Sequence, residues 1–213
     1  MRHGRLPWPT PDELDDDQRE FYDAVVGGVR GKVARPTPLT DDDGRLHGPF
    51  NAMLTNPPVG MALQAMGAGL RFSGTLPRAL FELLVLLVAA ERHASYEWYA
   101  HAPIGQQAGL TDADLAAVRD GDIPASLSDA DRAVVELAGT ALHHEEPTEE
   151  QVARVNAAYG PAGVTETVTV IGFYDLLATL MRTWATPLPE GVPDPFASAG
   201  STPSGGVTAR TDR

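Results

Sequence analysis

From Leu76 to Arg92 the chain reads LPRALFELLVLLVAAER, and positions 79 to 90 are apolar at every place except Glu82. No polar stripe is left for solvent, so this segment predicts a helix buried on all sides. Such a helix needs other elements packed around it, and it carries one acid into the middle of them. The rest of the chain must supply the cover and a partner for Glu82.

The cover reads as helical. A first helix is expected over TPDELDDDQREFYDAVVGG, with Thr10 as its cap, Pro11 in its first turn, and Leu14, Phe21, Val25 and Gln18 facing inward. A long Pro-rich connection follows, and within it HGPFNAML suggests one turn of helix carrying His47, Phe50, Asn51 and Met53. PPVGMALQAMGAGLRF is a second long helix with a small-residue face, and the apolar run is the third. SYEWYAHAPIGQQAGL is the fourth, with Ser95 as its cap and Gly109 as its stop. TDADLAAVRDG and SDADRAVVELAGTALHH follow, then TEEQVARVNAAYG, which opens on a Thr148/Gln151 capping box, and GVTETVTVIGFYDLLATLMRTW. Nothing alternates with period two, so the class is all-α, one domain of about eight helices. Residues 1–40 form an N-terminal helix and linker and residues 41–185 the helical domain. Residues 186–213, rich in Pro, Gly, Ser and Thr, form a flexible tail or loosely docked arm.

Composition excludes several partners. Sixteen Lys and Arg against 29 Asp and Glu leave a net charge of −13, which repels nucleic acid and acidic membranes. The 213 residues contain no cysteine, which removes disulfides, thiolate metal sites and thiol catalysis. The first residues have no apolar signal core and the longest apolar run is short for a bilayer, so a cytoplasmic protein is expected.

The chemistry gathers in HASYEWYAHAP, residues 93–103. Glu97 and His101 are four apart and share a helix face with Ile104 and Ala108, so both point inward. Glu82 lies fifteen residues before Glu97, roughly 22 Å away along one straight helix, so the two meet only if the chain turns back near His93–Ser95. A carboxyl in an apolar helix has its pKa raised by desolvation, and a histidine titrates near neutral pH, so the set can form a proton relay. Other readings stand beside this one. Glu82 and His101 suit a buried pair that serves packing alone. Two carboxylates and an imidazole also suit a metal, although Glu-x-x-x-His differs from the Glu-x-x-His of di-iron bundles. Tyr96 and Trp98 read as core, interface or ligand-stacking residues. His47 either closes a pocket or is exposed. His143 and His144 read as a surface helix end, and His3 and His93 as solvent-facing. Each half also carries a long apolar helix with one acid, Glu82 and Glu166, a faint internal echo.

The segment 76–121 resembles the central repeat of the carboxymuconolactone decarboxylase family, which includes the alkylhydroperoxidase D-like proteins. The resemblance rests on Leu76-Pro77-Arg78, Glu82, Tyr96-Glu97-Trp98, His101, Pro103 and the Ala-Gly-Leu ending at Leu110, and extends over roughly residues 40–185 through LHGPFNAML and GFYDLLATLMR. It implies an all-helical fold and a homo-oligomer, a trimer or hexamer with sites near subunit interfaces. The family's peroxidase branch uses Cys-x-x-Cys-x-x-x-His; the positions here are Ala94, Glu97 and His101, so the chain resembles the cysteine-free branch. That implies a decarboxylase or lyase acting without cofactor or metal on a small carboxylated or lactone-like molecule. In it His101 donates a proton, Glu82 orients His101, and Glu97 is a second relay member or hydrogen-bond acceptor. Candidate substrate-binding residues are His47, Asn51, Tyr96, Trp98, Arg71 and Arg78, the two arginines to hold a carboxylate. The alternatives are a non-catalytic small-molecule binder or assembly protein on the same scaffold and a metal-dependent oxidase.

Overall fold

The structure, a computed structural model, describes residues 1–33 and 36–197. A small antiparallel hairpin opens the chain, β1 Arg2–His3 paired with β2 Leu6–Pro7. The helices follow as α1 Asp16–Val26, α2 Val29–Lys32, α3 Pro49–Met53, α4 Pro57–Ser73, α5 Arg78–Glu91, α6 Ser95–Ala108, α7 Asp112–Arg119, α8 Asp129–Leu142 and α9 Glu149–Trp184. The class is all-α. Strands of two residues have no alternation to read, so the hairpin left no signal in the sequence.

The apolar run forms α5, and all of Leu80–Leu86 and Val88–Ala90 is buried. It packs against α6, α7, α8 and α9, while α1 lies on α4 and places Phe21 and Val25 in the same core. The chain reverses after α5 as the Glu82–Glu97 spacing requires. Ala94 N–H reaches the Ala89 carbonyl at 2.8 Å and His93 N–H the Ala90 carbonyl at 3.1 Å. His93 between them takes a left-handed φ of 49°, and together these make a Schellman turn. Arg92 ties this turn to the rest: its Nε donates to Asp175 at 2.6 Å and its Nη2 to the Leu142 carbonyl at 3.0 Å.

Several boundaries differ from expectation. α1 is capped by Asp15, whose side chain accepts from Gln18 N–H, while Thr10 begins only a 3-10 turn over Pro11–Glu13. Ser95 is not the cap of α6. Ala94 holds that position, and the Ser95 hydroxyl donates to Asp194 at 2.6 Å. The two last expected helices run on as α9, bent at Gly160, where φ is 66°. α9 meets the length and composition of a membrane span, which the apolar runs in the sequence did not suggest. Its Val170, Ile171, Tyr174, Leu177 and Met181 nonetheless lie in the protein core. Of the expected tail, residues 186–197 form a docked arm. Phe196 stacks on His93 at 5.3 Å and meets Trp98 edge-on at 5.4 Å. Residues 198–213 lie outside the described residues.

Candidate active site

α5 and α6 bring Glu82 and His101 together. One turn beyond His101, Gly105 faces α5, and a methyl group there would stand 2.8 Å from Leu110 and 3.6 Å from the Glu82 Cβ. The missing side chain lets the two helices close up at this level. His101 Nδ1 then lies 2.7 Å from Glu82 Oε2, and Arg78 Nη2 lies 2.5 Å from Glu82 Oε1. Glu82 is 0% exposed. Burial alone raises its pKa, but His101, Arg71 and Arg78 together outweigh burial and hold the carboxyl below its ordinary value. Arg78 is also shifted down, by burial first, yet a guanidinium stays charged at any working pH. Glu82 is therefore an anion. An ionised carboxylate only accepts, so His101 carries its hydrogen on Nδ1 and donates it, leaving Nε2 as the second functional nitrogen.

Glu97 has the opposite character. It is 3% exposed, and among the described residues neither of its oxygens has a hydrogen-bond partner. Burial first, and the charge of Asp175 second, push its pKa well above the ordinary glutamate value. Burial thus favours the protonated form of Glu97, which makes it a donor and not the acceptor that the resemblance allowed. Glu97 and His101 line one cavity, together with Tyr96, Tyr174, Phe173 and Arg71. About 50 Å³ is free in it, several times the roughly 10–15 Å³ that one water needs. Tyr174 meets His101 edge-on at 5.2 Å, and burial holds its hydroxyl protonated.

The other expected site residues divide. Tyr96 and Arg71 line the cavity; Arg78 does not, and its guanidinium is paired with Glu82 instead. Trp98 does not line it; it packs into the core beneath Phe196. Asn51 donates to the Pro7 carbonyl at 3.1 Å and anchors the hairpin. His47 is buried away from the cavity against Trp8 and His3, with ring centroids 5.5 and 5.9 Å away. His3 is buried too, not solvent-facing as its position near the chain start suggested. Burial first, then His47, lowers its pKa to about 4 against a smaller opposing pull from Asp41, and burial lowers that of His47. Both are neutral packing residues near pH 7. His143 lies 3.4 Å from Glu91 at the surface, and among the described residues no three His, Asp or Glu side chains converge as a metal site. Sequence reasoning missed Tyr174, Phe173 and Arg30, which also line the cavity. Helical spacing from Glu166 points to Phe173 and Tyr174 as inward neighbours on α9, but nothing local points to Arg30.

With this geometry in view, the comparisons are informative. Residues 57–140 match the carboxymuconolactone decarboxylase family, less than half of the 213 residues and a shorter span than the resemblance suggested. This segment is similar to that family, and the match does not extend over the rest of the chain. The segment holds α4 to α8 and with them Arg71, Glu82, Glu97 and His101. No curated protein matches the chain. Two crystal structures share the fold. One is the alkylhydroperoxidase AhpD core of an uncharacterized peroxidase-related protein from Ralstonia eutropha JMP134. It is 18% identical, with 89% of this chain and 94% of that chain covered and a TM-score of 0.69. The other is an uncharacterized peroxidase-related protein from Silicibacter sp. TM1040, 14% identical over 88% and 92%, with a TM-score of 0.64. At these identities the likeness establishes the fold alone. Thiol peroxidase chemistry is not open to a chain without cysteine.

Proposed function

We propose that this chain is a cofactor-independent acid–base enzyme of the decarboxylase or lyase type, acting on a small carboxylated or lactone-like molecule. The observation that carries this reading is the pairing in one cavity wall of His101, braced at 2.7 Å by an ionised Glu82, with Glu97, a buried neutral acid. Two carboxyl groups whose surroundings push their pKa values apart divide naturally into an orienting anion and a donor. In loss of CO2 from a β-keto acid, the bond between the carboxylate carbon and its neighbour breaks. The electron pair moves onto the carbonyl oxygen, and a proton then reaches the carbon left behind. Glu97 donates a hydrogen bond to the oxygen where charge develops. His101 in its protonated form, held by Glu82, delivers the proton and is recharged from solvent.

The test is conversion of a panel of small β-keto acids and carboxylated lactones, followed by NMR and CO2 release. Turnover is expected for at least one member, falling about 10²–10⁴-fold in His101→Gln and Glu97→Gln, with cooperative unfolding curves showing that both variants are folded. No conversion across the panel would sink the enzyme reading. The alternative of a non-catalytic small-molecule binder on the same scaffold would then stand. We also propose a cytoplasmic homo-oligomer, a trimer or hexamer. Val59, Met66 and Phe72 on α4 and Val168 and Leu176 on α9 are exposed and offer apolar surface to a second copy. Light scattering on the purified protein checks this, and a monomer at micromolar concentration would refute it.

A further inference from the structure

A chain with net charge −13 brings two arginines to the wall of its own cavity. Arg71 comes from the last turn of α4, inside the family segment. Arg30 comes from α2, well before that segment. The slot that admits Arg30 is built by an absence. A methyl group at Gly67 would stand 3.2 Å from Arg30 Nη2 and 2.9 Å from the Phe173 ring, tighter than ordinary packing allows. Gly67 and Arg71 are four apart, so they share one face of α4 and the two guanidiniums meet the cavity from neighbouring turns. Arg30 is steadied on its other side by the Phe50 ring, 5.2 Å from its guanidinium carbon.

The same two arginines also line a small crevice with Val33 and Phe72 at the end of α4. They therefore stand between the cavity interior and the surface. Their charge is felt inside: both oppose the rise in the Tyr174 pKa, and Arg71 helps to hold Glu82 ionised. Glu82 itself is engaged by Arg78 and His101. Like charges gathered at a partly dry mouth focus the field and draw anions. A guanidinium is suited to a carboxylate because its N–H groups match the two oxygens. Tyr96 and Phe173 beside them suit an apolar body.

We propose that Arg30 and Arg71 form a carboxylate-selecting subsite at the cavity mouth, with Arg30 supplied by the N-terminal segment through the slot at Gly67. The proposal deepens the acid–base reading and rests on it for the site's use, but binding alone tests it. The full chain is titrated by calorimetry with acetate, benzoate and levulinate, and with the methyl ester of each. At least one acid is expected to bind and its ester to bind about tenfold more weakly or not at all. Arg30→Gln and Arg71→Gln are each expected to weaken that acid about tenfold or more. Gly67→Ala, which keeps both charges, is expected to weaken it as well, and unfolding curves check that each variant is folded. The proposal is overturned if none of the three acids binds, or if a folded Arg30→Gln binds them as the unsubstituted protein does. Arginine-dependent binding without turnover of any panel substrate leaves the subsite standing and removes the enzyme reading. Turnover with an unchanged kcat/KM in Arg30→Gln does the reverse.

Discussion

Glu82 on α5 and Glu166 on α9 each sit as the acid of a long apolar helix, and they have been put to opposite uses. Glu166 Oε2 accepts from Thr75 N–H at 2.6 Å, the Thr75 hydroxyl at 2.8 Å and Leu76 N–H at 3.2 Å. It fastens α9 to the turn that launches α5, and its partners are backbone and hydroxyl groups that do not titrate. Glu82 instead faces a guanidinium and an imidazole, and the imidazole lines the cavity. One carboxylate completes a turn. The other holds a histidine in a chosen orientation and tautomer. A buried acid in an apolar helix is thus no signature of chemistry by itself. What separates the two is the kind of partner: titratable and charged side chains for Glu82, backbone N–H groups and a hydroxyl for Glu166.

The comparison is broken most directly by Glu82→Ala. The substitution leaves His101 and Arg78 without their shared anion and opens a hole in the best-buried helix. A loss of about 3–5 kcal/mol in unfolding free energy is expected, at the low end because the Arg78 side chain is 37% exposed. Urea denaturation measures it. A loss below about 1 kcal/mol would mean that the Glu82 pairing contributes little.

Glu166→Ala is expected to be milder and different in kind. It strands the Thr75 and Leu76 N–H groups, at a cost of about 1–3 kcal/mol. Well below its melting temperature, the variant should bind carboxylates and turn over substrate as the unsubstituted protein does. A fall in kcat at constant fold would show that the two acids are not divided into fastener and site.

How much of this division could be read in advance depends on distance along the chain. The burial of α5, the inward face shared by Glu97 and His101, and the reversal near His93 all follow from helical period and spacing within about twenty residues. The neutral state of Glu97 was missed because it depends on Asp175 and on burial by distant helices. His47 and Asn51 were assigned to the site because nothing local announces that residues 2–7 return to cover them. Arg30 was invisible for the same reason: its slot is a glycine on another helix, 37 positions on. Ser95 was read as a cap because serine favours that place, and the arm carrying Asp194 claimed its hydroxyl instead. Local rules placed the helices, and the returning segments decided which polar residues face the cavity.

Glu97 gives the finest test, since it differs from both other acids in having no partner among the described residues. Its folded-state pKa is raised, so the folded protein keeps a proton that the unfolded chain releases. Stability from this group is fully present below the ordinary glutamate value and is lost as pH rises from there toward the folded-state value. Glu97→Gln keeps the shape and removes the titration. The two proteins should therefore unfold alike near pH 4, and the variant should gain on the unsubstituted protein as pH climbs. The gain approaches about 1.4 kcal/mol per pH unit at most, or about 1 kcal/mol by pH 5.5. Denaturation curves across pH 4–8 read this difference. A difference that stays flat over that range would mean that Glu97 is ionised in the fold, which would remove the donor from the proposed site and leave His101 to act alone.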